Sequence, residues 1–492
     1  MTEGATIARR TSWGPAILLC TTILLIPVGA PGASISIPGI SNDLGASATT
    51  ANWVMNAFML SFAAVMAVAG SLADRIGRRR VLVIGLAVFV VGNLLIVTAP
   101  AIALVIAGRA IAGVGAAAIT TGGSALLSAT YSGPQRSAVF AVFGTTLGLG
   151  LAFGPTLSGL AITALSSWRA LYLAYAVVAI PSLLLSPRLP DTPPQRSAAK
   201  FDLRGGALLT GALAAFMVGV SLGPDAGWNS PGVWVLLALA VAAGVAFARA
   251  ERRTMNPLVD LHLLRVKQFR AVCLTVTLGA FGFVSLIFTL GLFFAATASV
   301  SALVAGAMLL PLTAPTLLVP LAMSKIAHRL PLGVLLPSSL AIIAIGGGWF
   351  AAIGPAHGLS TISWPMLLIG TGQGLALMVL DGAALAVAPA GREGMAAGVF
   401  NTVRLGTESI AVVVITAIIG TVTNARVGSG TAATLLAGHA AGGARGAAAY
   451  AAGWQAGLAT VALLCALGAV VVWRELRVGP DVPTEKTSVP AV

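Results

Sequence analysis

Charged residues are scarce in this chain of 492 residues: Asp, Glu, Lys and Arg make up only 9%, whereas hydrophobic residues make up 58%. A water-soluble domain carries roughly 25% charged residues. A chain with so few charges cannot cover its surface with polar groups, so the composition excludes an ordinary soluble protein. It predicts a protein whose surface faces lipid.

Cysteine and histidine are also scarce, with three and four residues. Cys20, Cys273 and Cys465 lie inside apolar runs, with no metal-site spacing and no expected disulfide partner. The histidines are scattered over different loops and no nucleophile motif occurs, so we expect no enzyme, no metal and no cofactor. The absence of a G-x-x-x-x-G-K-[ST] loop argues against an ATP-driven pump.

Acidic residues are half as numerous as basic ones, 14 against 28, which gives a formal net charge of +14. A basic protein can bind nucleic acid, but no basic face with interleaved aromatic residues occurs here, and we expect no such partner. Membrane topology explains the excess instead, because cytoplasmic loops of membrane proteins are rich in Lys and Arg.

Long apolar runs are what the chain does contain. A bilayer core about 30 Å thick takes roughly 20 apolar residues per helix, and the sequence holds fourteen such runs. With the N-terminus inside, the loop Lys and Arg fall on the cytoplasmic side except Arg169, Arg426 and Arg445. We therefore expect an all-α integral membrane protein with 14 transmembrane helices and both termini cytoplasmic. The runs are 14–37, 53–73, 80–99, 101–130, 138–161, 168–187, 204–222, 231–249, 269–296, 301–323, 332–353, 364–389, 397–421 and 454–474.

Polar segments divide the runs into groups of six, two and six. A proline-rich linker begins at Pro187, and the basic connector Arg249–Arg270 follows run eight. Residues 422–453, rich in Gly and Ala, are expected to form a long mobile loop on the outside. The predicted units are an N-terminal six-helix bundle (1–190), a linker with two inserted helices (191–267), a C-terminal six-helix bundle (268–475) and a disordered cytoplasmic tail (476–492).

Several motifs carry a resemblance to a known family. The loop between runs two and three reads GSLADRIGRRR over 70–80 and resembles the G-x-L-A-D-R-x-G-R-R signature of major facilitator superfamily transporters. The R-x-x-x-G-x-G-A-A pattern from Arg109, the G-x-x-x-G-P-x-x-S-G pattern over 150–159 and the W-R-x-x-Y pattern over 168–172 resemble the fourteen-helix drug:proton antiporters of that superfamily. The resemblance covers nearly the whole chain and implies the major facilitator fold.

The loop over 70–80 is implied by this resemblance to take part in gating. Asp74, with Arg75, Gly77 and Arg78, is expected to hold the cytoplasmic side shut in one state by pairing and by facing a helix N-terminus. The alternative is a solvated loop whose arginines only fix topology.

The motif in run five is the second implied gating element. Gly150, Gly154 and Gly159 allow another helix to approach closely, and Pro155 bends the helix because it removes a backbone hydrogen bond. The alternative is ordinary packing of small residues.

Charges inside the runs mark a further group of candidates, since each costs about 2.5–3.5 kcal/mol on insertion scales. Arg109 lies near the middle of run four, and the resemblance implicates it in proton coupling; a structural tie between helices is the alternative. Antiporters of the family carry an aspartate in the first span, where this chain has Gly29. Asp43, just past the first span, is expected to be solvated.

Two carboxylates can replace that aspartate. Arg404 and Glu408 are four residues apart and share one face of a helix, and Asp381 falls inside run twelve. Arg404 and Glu408 form a neutralised pair near the cytoplasmic helix end, or else Glu408 or Asp381 has become the protonatable group, because a low-dielectric cavity favours the neutral form of a carboxylic acid.

The predicted cavity is apolar with few polar anchors, which suits amphipathic organic molecules. Asn56, Phe58, Gln373 and Asn401 are its candidate lining residues. The function implied is export of drugs, antibiotics or related natural products from a bacterium by proton antiport and alternating access. We expect a monomer in the cytoplasmic membrane whose partners are the small-molecule substrate, protons and the lipid bilayer. An uncoupled facilitator or a differently coupled small-molecule transporter of the same fold is the alternative, and Gly29 is the best support for a facilitator.

Overall fold

The computed structural model describes residues 12–131, 133–191, 203–254, 263–298, 300–323, 330–386 and 393–477. Within these ranges all regular secondary structure is helical. A π turn, Ala280–Val284, joins α9 to α10. The α-helices are α1 (Gly14–Leu44), α2 (Ala48–Ile76), α3 (Arg78–Val97), α4 (Ile102–Thr130), α5 (Gly133–Ala164), α6 (Arg169–Leu185), α7 (Leu203–Ala226), α8 (Pro231–Arg253), α9 (Lys267–Gly279), α10 (Ser285–Ala298), α11 (Ala302–Ala307), α12 (Leu310–Thr313), α13 (Pro315–Met323), α14 (Leu332–Ile353), α15 (Leu359–Ala386), α16 (Glu393–Val427), α17 (Ser429–Leu436) and α18 (Gly443–Arg477).

Eleven helices in the described ranges are long and apolar enough to cross a membrane, or thirteen if each of two sharply bent pairs is one crossing. Two of the eleven are composite: α9, the π turn and α10 form Lys267–Ala298, and α11 to α13 contribute Leu303–Met323. The apolar runs are helical because hydrocarbon offers no partners to free backbone N–H and C=O groups. The all-helical membrane architecture is thus confirmed, and the count of fourteen stays a prediction.

Hydrogen bonds at helix ends define two faces of the molecule. Tyr131, which follows α4, donates to the Ser12 carbonyl oxygen at 2.8 Å, so α4 ends where α1 begins. Arg169 at the start of α6 pairs with Asp43 at the end of α1 and donates to the Ala99 carbonyl oxygen after α3 at 3.0 Å. We call these sides the N-terminal face and the opposite face. Asp43 is therefore an ion-pair partner that keeps 47% of its side chain exposed, so the solvated carboxylate expected from the sequence is confirmed and the ion pair is an addition to it.

The segment expected to be a mobile loop over 422–453 is largely helical. Helix α16 continues to Val427, α17 covers Ser429–Leu436, and α18 begins at Gly443. The Gly- and Ala-rich composition misled the prediction, because alanine is the best helix former and glycines at Gly428 and Gly438 adopt positive φ between the helices. The predicted tail beyond Arg477 lies outside the described residues.

Glycines bring α3 and α4 into backbone contact. A Cβ added at Gly92 would lie 2.6 Å from the Ala112 nitrogen, and one added at Gly115 would lie 2.5 Å from the Phe89 nitrogen. Lipid tails are as apolar as the helices, so close van der Waals packing of this kind holds membrane helices together. The contact fixes α4, which carries Arg109 at its centre.

Two bent helices pack against each other beside this pair. Helix α1 bends by 53° between Gly14–Gly29 and Gly32–Leu44, and α5 bends by 51° between Val142–Gly150 and Phe153–Ala164. A Cβ added at Gly154 of α5 would lie 2.9 Å from the Val28 Cα of α1. The bends are therefore matched, since each helix follows the other at its break.

The contact between α3 and α4 makes a stability prediction. Gly115→Ala places a Cβ into the backbone of α3, and overpacking costs about 1–3 kcal/mol. We expect a lower thermal unfolding midpoint for the purified protein in detergent. The matched control is Gly244→Ala on α8, where an added Cβ has nothing within 4 Å; alanine there favours the helix by roughly 0.5–1 kcal/mol. Equal midpoints for the two variants would contradict the assignment.

Candidate functional site

Arg109 lies in α4 with only 2% of its surface exposed. Its Nε donates to the Val54 carbonyl oxygen of α2 at 2.9 Å. The guanidinium carbon lies 4.1 Å from the ring centroid of Phe58 and 5.9 Å from that of Tyr172 on α6. Cation–π contacts of a desolvated arginine are worth about 2 kcal/mol or more. Helices α2, α4 and α6 therefore meet around this charge.

No carboxylate pairs with Arg109 among the side chains that the structure describes. Within the same set its buried Nη2 has no hydrogen-bond partner. A Cβ at Gly29 would lie 3.4 Å from the ring of Tyr175, and that ring is 6.1 Å from the ring of Tyr172. Gly29, where the resemblance led us to expect an aspartate, thus borders the tyrosine pair next to Arg109. A carbonyl and aromatic rings stabilise this cation in place of an acid.

The two tyrosines were missed by sequence reasoning. The whole chain has only four tyrosines, and Tyr172 and Tyr175 are three residues apart, so they share one face of α6. That scarcity and spacing was the available signal. The Tyr175 hydroxyl lies 3.2 Å from the Ser158 Oγ of α5, and the Tyr172 hydroxyl lies 2.9 Å from the Ser36 Oγ of α1. The tyrosines therefore connect α6 to both bent helices.

Asp381, Arg404 and Glu408 form one cluster between α15 and α16. Arg404 Nε donates to Glu408 Oε1 at 3.4 Å, and its Nη1 lies 3.7 Å from Asp381 Oδ1. The side chain of Arg404 is 14% exposed, that of Glu408 24% and that of Asp381 61%. Two carboxylates and one guanidinium together carry a formal net charge of −1. One acid can therefore take a proton while the other still pairs with Arg404.

The cluster touches the Arg109 region through α2. Ser409, the residue after Glu408, donates its hydroxyl to the Met59 carbonyl oxygen of α2 at 3.3 Å. Met59 follows Phe58, whose ring covers Arg109. Helix α2 thus contacts Arg109 directly and, through Met59, the residue next to Glu408, so a shift of α2 against α16 changes the surroundings of both charge centres.

The motif of run five lies at helix contacts. Gly150 and Gly154 face Pro27 and Val28 of α1, and Gly159 is buried in α5. Pro155 faces α11, so here the predicted N-terminal bundle contacts the predicted C-terminal bundle.

That contact with α11 is made through backbone. A Cβ at Gly306 of α11 would lie 2.5 Å from the Pro155 carbonyl oxygen, and Thr156 Oγ1 donates to the Gly306 carbonyl oxygen at 3.1 Å. The bend of α5 is therefore also a point of contact between the bundles.

The loop at the N-terminal face turns on Gly77, whose φ of 104° favours glycine. Arg75 lies in the last turn of α2 and Arg78 begins α3, whereas the side chain of Asp74 lies outside the described residues. Its predicted pairing therefore stays a prediction.

A neighbouring residue ties this loop to the segment after α6. Arg79 donates to the carbonyl oxygens of Pro187 and Leu189 at 3.3 and 3.0 Å and pairs with Asp191 at 2.9 Å. Sequence reasoning did not assign this anchor. The lone acid in the proline-rich linker was the signal for it.

The predicted cavity residues have different neighbours. Phe58 covers Arg109, and Asn56 donates to the Ser221 hydroxyl of α7 at 3.3 Å, so it faces α7. Gln373 is 6% exposed, and its Oε1, unpaired within the described ranges, lies against Gly279 of α9. Asn401 is half-buried one turn before Arg404.

The cluster around Arg404 makes a second stability prediction. Arg404→Gln leaves Asp381 and Glu408 without their cation. The Arg404–Glu408 pair is half-buried, so we expect its loss to cost more than the roughly 0–1 kcal/mol of an exposed pair and less than the roughly 3–5 kcal/mol of a buried one. We expect the thermal midpoint to fall clearly, and to recover in part in the double variant Arg404→Gln/Glu408→Gln because one of the uncompensated charges is gone.

The control for this experiment is Arg270→Gln. Arg270 pairs with Glu475 at 2.5 Å while 44% of its side chain is exposed, and exposed pairs contribute about 0–1 kcal/mol. Equal losses for Arg404→Gln and Arg270→Gln would show that the cluster is no more than a surface ion pair.

Similarity to known proteins agrees with this architecture. Multidrug efflux pump LfrA of Mycolicibacterium smegmatis is 28% identical over 85% of this chain and 83% of its own length. Puromycin resistance protein pur8 of Streptomyces alboniger is 29% identical over 94% of this chain and 91% of its own.

A likeness in fold extends to solved structures. The crystal structure of a POT family transporter in complex with 5-aminolevulinic acid has a TM-score of 0.65, covers 93% of this chain and 95% of its own, and is 13% identical, which speaks for the fold alone. The sequence profile of the Major Facilitator Superfamily matches residues 17–411. With membrane-length helices throughout and that match over most of its length, this chain belongs to the Major Facilitator Superfamily.

Proposed function

We propose that this protein exports amphipathic organic molecules, including drugs and antibiotics, across the cytoplasmic membrane of a bacterium, driven by proton antiport. The observation that carries the proposal is the cluster of Asp381, Arg404 and Glu408 beside the contact of α16 with α2. Relatives named for multidrug efflux and puromycin resistance support the substrate class. Family membership supports a transporter and not an enzyme.

Proton coupling in this proposal uses the spare acid of the cluster. A proton on Glu408 or Asp381 leaves the other carboxylate paired with Arg404, so the cluster accepts and releases a proton without exposing an unpaired guanidinium. Arg109 supplies a fixed positive charge that contacts α2 from the other side. Proton binding changes the electrostatic field at the contact between α2 and α16. The two bundles have to move past each other at this contact.

Alternating access in this proposal is a rocking of bundle 1–190 against bundle 268–475 around a central site. The contacts that support it are Ser409 with Met59 and Gly306 with Pro155. The molecule works as a monomer. The loop with Asp74, Arg75, Gly77 and Arg78 closes the cytoplasmic side in one state.

The proposed topology has fourteen crossings and a cytoplasmic N-terminal face. Eleven membrane-length helices, two bent pairs and the shorter apolar helix Trp53–Met66 support the count. The concentration of Lys and Arg in the loops assigned to the N-terminal face supports the orientation. Helices α7 and α8 are the inserted pair, and Asn56 and Ser221 join α7 to the N-terminal bundle.

An uncoupled facilitator is the second candidate function. Arg109 has a carbonyl and aromatic rings around it but no carboxylate among the described side chains, and Gly29 borders this region. A transporter without an acid at this point has lost one means of exchanging protons. The two functions differ in accumulation against a gradient.

Proteoliposomes with an imposed pH gradient test the proposal. Wild type is expected to accumulate puromycin or a hydrophobic dye above the equilibrium level, and a protonophore should abolish the accumulation. Glu408→Gln is expected to lose accumulation about tenfold or more while downhill exchange continues, because the amide cannot carry the proton. Asp381→Asn, whose carboxylate is more exposed, should lose less.

Glu475→Gln is the matched control, since it neutralises a carboxylate in an ion pair with Arg270 away from the cluster; it should accumulate as wild type does. Full accumulation by the double variant Asp381→Asn/Glu408→Gln would exclude the cluster as the proton site. Equilibration of wild type regardless of the pH gradient would establish the facilitator instead.

A further inference from the structure

A cavity of about 680 Å³ lies at the opposite face, between α1, α5 and the start of α6 on one side and α10 and α11 on the other. Sites for small organic molecules have volumes of about 300–1,000 Å³. The cavity is therefore large enough for a drug-sized molecule, and its walls belong to both predicted bundles. It is remote in sequence from the charged cluster on α15 and α16.

The lining combines apolar walls with hydroxyl groups. Ile35, Pro38, Ile162 and Val300 contribute apolar surface, and Thr163 contributes an exposed hydroxyl. An apolar wall with a few polar anchors favours an amphipathic ligand, because burial of its carbon atoms supplies binding energy and the hydroxyls fix its orientation.

The charged groups at the rim neutralise each other. Arg169 pairs with Asp43, and its guanidinium carbon lies 4.2 Å from the ring centroid of Trp168. The Trp168 indole donates to the same Asp43 carboxylate at 3.0 Å. With both charges satisfied inside the protein, the rim offers no unpaired charge to an ion. The ligand that suits this cavity carries no net charge.

The cavity wall is held in place by the segment between α17 and α18. The His439 imidazole Nε2 lies 3.2 Å from the Pro38 carbonyl oxygen and 3.0 Å from Asn42 Oδ1, and both Pro38 and Asn42 line the cavity. Gly438 packs closely against the Pro38 ring. Chain from the C-terminal bundle therefore supports the α1 wall, which keeps the cavity shaped in this state.

We propose that this cavity is a second ligand site, which binds an amphipathic organic molecule of zero net charge at the outer face. The inference rests on the proposed export function, because the ligand is the exported molecule at the stage before release. The site is separate from the charged cluster, because none of its lining residues belongs to α15 or α16.

Cysteine labelling tests the site. The native Cys20, Cys273 and Cys465 are buried, so a membrane-impermeant maleimide has little to react with in wild type. Thr163→Cys and Ala295→Cys place thiols on opposite walls of the cavity. In right-side-out membranes at mildly alkaline pH, where the α-amino group of puromycin is uncharged, we expect both to be labelled, and saturating puromycin to slow the labelling about fivefold or more. Ser429→Cys, exposed at the start of α17 outside the lining, should be labelled at the same rate with and without puromycin.

Puromycin efflux by the same variants separates this inference from the proposed function. Efflux without protection of either cavity thiol would overturn the second site and leave export standing. Protection without efflux would support the site and contradict export. If puromycin neither protects a cavity thiol nor is exported, the result contradicts both the second site and the proposed export.

A bulky substitution distinguishes occupancy from a distant conformational effect. Ala295→Trp fills part of the cavity, and we expect it to raise the half-saturating puromycin concentration several-fold. Ala298→Trp adds the same indole at an exposed position on the same helix that does not line the cavity, and it should leave that concentration unchanged. Equal effects of the two substitutions would contradict the site.

Discussion

The positive charge of Arg109 has to be stabilised inside the membrane, and the N-terminal helices are arranged around that requirement. A carbonyl of α2 and the rings of Phe58 and Tyr172 supply the stabilisation. These contacts need α4 at a fixed depth and rotation. The backbone contacts at Gly92 and Gly115 provide that placement, since no side chain separates α3 from α4 there. Packing of small residues and burial of a charge are therefore two parts of one arrangement.

The two intramembrane charge centres are unlike each other. Arg109 is a cation with no acid among the described side chains, whereas Arg404 is a cation with two acids. With all groups ionised, their formal charges cancel. One added proton leaves an excess of one positive charge, and low dielectric surroundings make that excess felt over a longer distance than in water. Helix α2, which contacts Arg109 and the residue next to Glu408, is the element best placed to respond.

Prediction from sequence succeeded where the pattern was local. The i,i+4 spacing placed Glu408 next to Arg404, and apolar runs of membrane length became helices. Contacts between residues distant in sequence were out of reach: the partners of Arg109 on α2 and α6, and the second acid Asp381 on α15, depend on how helices pack. The ion pair of Asp43 was not foreseen because its partner Arg169 is far along the chain. Composition misled in the segment over 422–453, where alanine-rich chain forms helix.

The contact of Gly306 with Pro155 has a mechanical consequence. Where the side chains of two helices interdigitate, the crossing angle changes only when rotamers change or when the side-chain ridges of one helix leave the grooves of the other. At Gly306 the backbones of α5 and α11 are in contact with no interdigitating side chain between them. Helices α5 and α11 can rotate about this contact while one hydrogen bond from Thr156 keeps them together. The crossing angle between α5 and α11 can therefore change at this contact with little resistance from side-chain packing.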